Sequence, residues 1–256
     1  MKAIWSGAIN FGLVNIPVKL YSAIQESRLD FDLLDKKDHH NVKYKRVNEK
    51  TGKEVPWANI VKGVKVKDKY VVLSKADFEK AAPEKTKQIQ LESFVDLKEI
   101  DPILFKSAYY VWPDANGSQA FGLLASTIQK TGRCGIGRFV LRNRENLVLL
   151  RTADDVVLLH SIRFLSEIRS PDAYSTKKLS KKKPKPAELK MAGDLVKSMT
   201  DSFNLKDYSD TYTKALMKRI RSKASGRKIA DTPTKKQIES GSLVEQLKKS
   251  IAQRKK

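Results

Sequence analysis

From Val14 the chain alternates, with Val14, Ile16, Val18 and Leu20 apolar and Asn15, Pro17 and Lys19 between them. A period of two with one apolar face predicts a half-buried strand. Pro17 has no N–H to give to a ladder, which puts it at an edge or a bulge. Short apolar runs recur at residues 29–34, 70–73, 88–95, 109–112, 133–141, 147–151 and 156–164. Prolines and turn sequences such as RNRE and ADD bound them, as expected of successive strands. One helix interrupts the series, at residues 117–131. There Ala120, Phe121, Leu124 and Ile128 share a face, and Gly132 suits the left-handed position that ends a helix. Ser74 is placed to cap the short helical segment SKADFEK, which Pro83 ends. Seven or eight strands around one helix argue for a barrel or a sandwich over residues 1–165.

Two further stretches alternate in a different sense. In residues 42–47, VKYKRV, apolar or aromatic residues are interleaved with bases, and VKVK at residues 64–67 repeats the theme. An extended conformation puts Val42, Tyr44 and Arg46 on one side and Lys43 and Lys45 on the other. A pair of such strands would carry a row of lysines about 7 Å apart, twice the rise per residue, close to the spacing of phosphates along one strand of DNA.

Beyond Tyr174 the texture changes. STKKLSKKKPKP is a basic, proline-containing linker. Helical spacing follows at residues 187–203, with Leu189, Ala192, Leu195, Val196 and Met199 on one face, and at residues 208–223. A second linker at 225–241 precedes a short terminal helix on which Leu243, Val244, Leu247 and Ile251 form an apolar stripe. The expected organisation is mainly β with α. A core at residues 1–176 holds an inserted segment at about 36–70; a helical region at 177–225 and a basic tail at 226–256 follow.

Charge sharpens this division. The chain of 256 residues has 51 Lys and Arg against 29 Asp and Glu, a net charge of +22. Residues 177–256 hold 23 bases and 8 acids, and residues 36–70 hold 11 bases and 4 acids. The remainder is balanced. A surplus confined to one internal segment and one tail suits two contacts with a polyanion better than a general solubility device. Candidate phosphate contacts are Lys36, Lys37, Lys43, Lys45, Arg46, Lys53, Lys62, Lys65 and Lys67. Arg142 and Arg144 of RNRE are further candidates, equally readable as surface ion pairs. The tail bases, among them Lys181, Lys182, Lys183, Lys248, Lys249, Arg254, Lys255 and Lys256, are expected to add non-specific duplex affinity.

Catalytic and cofactor patterns are missing from the sequence. No glycine-rich loop is followed by Lys-Ser or Lys-Thr at phosphate-cradling spacing. GRCGIG at 132–137 runs from a helix into a strand, the reverse of the order a dinucleotide loop needs. His39 and His40 lie in a loop without a nearby cysteine, and His160 lies in an apolar strand, as a structural histidine would. Asp30, Asp32, Asp35 and Asp38 are the one carboxylate cluster that could suggest a metal-dependent nuclease, but their neighbours offer no further ligands. Cys134, the single cysteine, has no histidine beside it and rules out an intramolecular disulfide. No catalytic residue, metal or cofactor is therefore assigned. The apolar start AIWSGAINFGLVNIPV is interrupted by Asn10, Asn15 and Pro17, and no uncharged run approaches the roughly 20 apolar residues of a spanning helix. A soluble cytoplasmic protein without membrane partners is expected.

Five ordered motifs point to a family. AIWSGAINFGLVNIPVKLYSA at the N-terminus, YKRVNEKTGKEVPWANIVKG at 44–63, DFEKAAPEKT at 77–86, EIDPILF at 99–105 and GRFVLRNRENLVLL at 137–150 resemble bacterial Ku, the DNA-end-binding proteins of non-homologous end joining. Many relatives have cysteines in the turn where Asn48 and Thr51 stand here, so a thiolate metal site has no support. The resemblance implies a β-barrel core and a homodimer whose bridge segments, here about residues 36–70, close a ring threaded by a double-stranded DNA end. It also implies a helical arm at about 187–224 that embraces the partner's barrel. The C-terminal segment, with Leu243, Val244, Leu247 and Ile251, would recruit the ATP-dependent end-joining DNA ligase. Such a protein is not an enzyme, works on the nucleoid in the cytoplasm, and has no need to read base sequence.

Overall fold

The computed structural model describes residues 2–25, 29–83, 86–171, 185–227, 244–247 and 250. They fall into two compact units, Met1–Arg169 and Ser170–Lys256. In the first, β1 (Trp5–Phe11) and β2 (Val14–Ser22) precede a long insertion that carries β3 (Lys62–Val66), β4 (Lys69–Leu73) and α1 (Lys75–Ala81). β5 (Gln88–Asp96), β6 (Phe105–Pro113), α2 (Ser118–Thr131), β7 (Arg133–Leu141), β8 (Arg144–Ala153) and β9 (Val156–Ile162) follow. The second unit contains α3 (Pro186–Met199) and α4 (Thr211–Ala224).

Seven strands close a barrel in the order β1-β2-β6-β9-β8-β7-β5. All neighbours are antiparallel except β1 and β5, which close it in parallel through Ala8↔Gln88, Ile9↔Ile89 and Asn10↔Gln90. A parallel pair needs a long crossover, and residues 23–87 supply it. The alternation read in β2 is realised: Ile16, Val18 and Leu20 are buried, while Val14 at the strand start is exposed. Pro17 lies in β2 opposite Ala8, and its carbonyl accepts from the Asp114 N–H at 2.9 Å. Ile9, Ile16, Leu20, Ile89, Leu150 and Leu159 are fully enclosed, and Leu124 and Ile128 of α2 join the same cluster. Each such side chain contributes about 1.5–3 kcal/mol on burial. α2 ends at Gly132 with φ 64°, as its sequence predicts. Ser74 and Asp77 form a reciprocal capping box at the start of α1.

Two expected strands are absent. Residues 29–34 and 42–47 form no ladder, only the isolated bridges Leu34↔Asn41 and Val47↔Glu54. Their residues suit a strand but have no partner strand among the described residues, and strand preference depends on such neighbours. Conversely, β1 comes from the N-terminal run, where small Gly7 and Ala8 blur the alternation.

Buried polar groups are handled locally. His160 is 9% exposed, lies edge-on to Phe105 with ring centroids 4.9 Å apart, and accepts at Nε2 from Arg151 Nε at 3.0 Å. Burial and the Arg151 charge lower its pKa to about 4. It is a neutral structural histidine. Cys134 is buried, its Sγ donates to the Val95 carbonyl at 3.5 Å, and burial pushes its thiol pKa up, the opposite of a nucleophile.

Close strand packing makes one glycine obligatory. A Cβ at Gly137 would come 2.1 Å from the Gln90 carbonyl oxygen, whereas one at Gly122 on α2 meets nothing within 4 Å. Gly137→Ala is expected to cost at least about 2–3 kcal/mol by strain, and Gly122→Ala to gain about 0.5–1 kcal/mol by helix propensity; urea unfolding of both variants checks the pair. The unfolded chain protonates His160 near pH 6.5 and the folded chain only near 4. Between those values the unfolded state binds more protons, so stability falls as pH drops through the window. His160→Gln, which keeps an acceptor, should lose about 2–3 kcal/mol less than the parent between pH 7 and pH 4.5, read as the shift in urea midpoints.

Candidate nucleic-acid interface

From Asp30 to Ala81 no side chain is buried, and only Val55 and Leu73 are half-buried. This stretch, which includes the expected bridge at about 36–70, is a chain of three small hairpins followed by α1. In the first, Val42 N–H donates to the Leu33 carbonyl and Asp35 N–H to the His40 carbonyl, both at 2.8 Å. The carboxylates of Asp35 and Asp38 accept from the N–H groups of Lys37 and His40, and so serve the turn. In the second, Asn48 N–H donates to the Lys53 carbonyl at 2.9 Å and Val55 N–H to the Arg46 carbonyl at 2.8 Å. The Asn48 side chain accepts from Lys50 and Thr51 N–H, 3.0 Å each, an Asx turn that holds the tip. The third is β3–β4, which pairs with no other strand and turns at Lys67 with φ 53°.

The candidate bases are distributed unequally over this frame. Lys36 and Lys37 lie in the first tip, Lys53 closes the second and Lys67 makes the third. Lys43 lies on the limb after the first hairpin. Lys45 is engaged by Glu54 at 2.8 Å. Arg46 lies over the Trp57 ring at 4.4 Å from its centroid, and Lys62 over Phe78 at 5.2 Å. The expected single row of lysines is not formed. In β3, Lys62 shares a face with Val64 and Val66, Lys65 lies on the opposite face across from Tyr70, and Lys67 is in the turn. Residues 42–47 add nothing to a row because they are not a strand. Arg142 lies elsewhere, in the two-residue turn between β7 and β8, with φ 52° there and 63° at Asn143; Arg144 is the first residue of β8. Arg138, not these two, carries the ion pairs, with Glu92 and Glu145.

Apolar groups are interleaved with these charges and equally uncovered. Val64, Val66 and Val71 on one face of the β3–β4 hairpin are 51, 52 and 46% exposed, and Tyr44 and Trp57 reach 82 and 71%. Contiguous exposure on this scale marks an interaction surface. Sequence patterning missed the Arg46–Trp57 stack, since the contact follows from the Val47↔Glu54 bridge and carries no period.

A second uncovered feature lies on the barrel. Tyr21, Tyr110, Trp112, Phe121 and Val156 line a groove of about 830 Å³ beside α2, with Asp154 and Asp155 at its margin. In the other unit, Leu189, Val196 and Met199 of α3 and Tyr212 of α4 are exposed. Of the C-terminal stripe, Val244 and Leu247 are helical and half-buried, whereas Leu243 and Ile251 lie outside the described residues. So do Lys181, Lys182, Lys183, Lys248, Lys249, Arg254, Lys255 and Lys256. Among the described residues no group of three metal-ligating side chains converges, and no helix is long and apolar enough to cross a membrane.

Fold and site together define a β-barrel that carries a coreless basic bridge in its crossover connection. Residues 10–191 match the Ku70/Ku80 beta-barrel domain. The chain is 37% identical over 256 residues to the non-homologous end joining protein Ku of Archaeoglobus fulgidus, covering 98% of each chain. Proteins of the same name are 40% identical in Pseudomonas aeruginosa, over 88% of this chain and 77% of that one, and 35% identical in Coxiella burnetii, over 100% and 96%. The chain belongs to the Ku family.

Proposed function

We propose that the chain is a non-enzymatic homodimer that binds double-stranded DNA ends regardless of sequence and brings the ATP-dependent end-joining DNA ligase to them. The observation that carries this reading is the bridge segment: from Asp30 to Ala81 it is basic, apolar and without a buried side chain. Its two properties call for two partners. The Val64, Val66 and Val71 face suits a second copy, because a self-complementary patch around a two-fold axis buries itself. The lysines suit phosphate. Two bridge segments joined this way close a ring over the duplex, so that a threaded complex leaves only past an end.

The uncovered faces of α3 and α4 fit the same assembly, as an arm laid on the partner's barrel. The groove beside α2 offers that arm an apolar floor and an acidic margin, complementary to Lys214, Lys218 and Lys223 of α4. Leu243, Val244, Leu247 and Ile251 are assigned to the ligase, as an amphipathic stripe that an apolar groove on the ligase would accept. The basic tail adds sequence-independent affinity, and the protein works in the cytoplasm on the nucleoid.

Lys36, Lys37, Lys43, Lys45, Arg46, Lys53, Lys62, Lys65 and Lys67 are assigned to phosphate contacts, with Arg142 and Arg144 as a separate barrel contribution. Phosphate recognition sets the salt dependence. Lys43, Lys65 and Lys67 have no ion pair among the described residues. Reversing all three to glutamate should weaken duplex binding and make the slope of log K against log salt shallower by about 2–3; an unchanged slope rejects the assignment. Threading is tested by competition between linear and covalently closed DNA of one sequence. Linear DNA should compete far better at physiological salt, and equal competition by closed circles or by RNA would favour a general nucleic-acid binder instead.

A further inference from the structure

We infer that Trp57, backed by Arg46, is a stacking site for an unpaired nucleobase, so that the bridge segment grips single-stranded overhangs at a DNA end as well as the duplex. The inference rests on the proposed DNA-end function and adds a second ligand chemistry to it.

The site is built before any ligand arrives. Val55 N–H bonds the Arg46 carbonyl, Val47 and Glu54 bridge, and Lys45 pairs with Glu54, which ties residues 45–47 alongside 54–55. Pro56 then leads into a single 3-10 turn at Trp57–Asn59, closed by Asn59 N–H to the Pro56 carbonyl at 2.9 Å. That frame sets the guanidinium 4.4 Å above the indole centroid. Arg46 has no carboxylate partner among the described residues, so it keeps its full charge beside the ring. Yet the indole is 71% exposed.

An indole covered by a cation on one face and open elsewhere is a half-built sandwich. A base is the flat, apolar-faced group that completes it, with its phosphate in reach of the neighbouring positive charge. Stacking of this kind is tolerant of base identity, because every base presents a π-face. It therefore fits a protein that must not read sequence. Paired bases are inaccessible to it, and only an overhang or a frayed terminus offers one.

The test uses the full-length protein and three DNA substrates: a blunt duplex, the same duplex with a short overhang, and that duplex with an abasic overhang that keeps the phosphates. The parent should bind the natural overhang about tenfold more tightly than the abasic one. Trp57→Leu, which retains apolar bulk, should erase that difference while leaving blunt-end affinity within about twofold, and Trp57→Phe should restore part of it. Equal binding of natural and abasic overhangs by the parent overturns the site but leaves duplex-end binding standing. Binding of none of the substrates overturns both. Sedimentation of Trp57→Leu supplies the last arm: conversion of a dimer to a monomer would mean that Trp57 packs against a second copy, which also overturns the inference.

Discussion

Everything distinctive in this protein follows from one imbalance: about fifty consecutive residues carry valines and tyrosines but bury none of them. From Asp30 to Ala81 the chain folds into three small hairpins and the short helix α1, held by local backbone hydrogen bonds yet without a core. Isolated hairpins of this size are marginal in water. The apolar faces must be covered from outside, and the lysines among them repel one another unless an anion is near. In the proposed assembly a second copy and a polyphosphate answer both demands at once, and dimerisation and DNA binding are linked through one segment.

The barrel supplies the rigid half of the design. Closure depends on β5 returning parallel to β1, and a parallel return requires a long crossover. In most folds a helix takes that path. Here the crossover is the basic segment itself, which leaves β2 and returns into β5, the two strands that flank β1 in the barrel. Positions along the barrel seams are accordingly intolerant: a Cβ at Gly7 would come 2.2 Å from the Lys87 carbonyl oxygen beside the β1–β5 pairing, Gly137 admits the Gln90 carbonyl between β5 and β7 where no side chain fits, and the neutral His160 accepts from Arg151 between β8 and β9.

Much of this was legible in the sequence, for identifiable reasons. The strand residues 14–20, the helix with its Gly132 terminus and the Ser74 cap each have a local signature, and the charge count set apart residues 36–70, which lie within the stretch that buries no side chain. What was not legible is what depends on distant partners. VKYKRV has strand composition, but among the described residues no second strand pairs with it. The choice between barrel and sandwich hangs on the Ile9↔Ile89 parallel pairing, which leaves no local pattern. In the basic segment, the positions of the bases were not readable: Lys62 and Lys65 point to opposite faces because they are three apart on a strand, and Arg46 meets Trp57 only through a bridge at Val47.

The central claim is that the bridge segment is completed by a second copy of the chain. Sedimentation equilibrium of the protein free of DNA, across a dilution series, addresses it most directly. The account predicts twice the chain mass into the low micromolar range, and dissociation when Val64 and Val71 are both replaced by aspartate. A parent protein that sediments as a monomer throughout, with those substitutions making no difference, would contradict it.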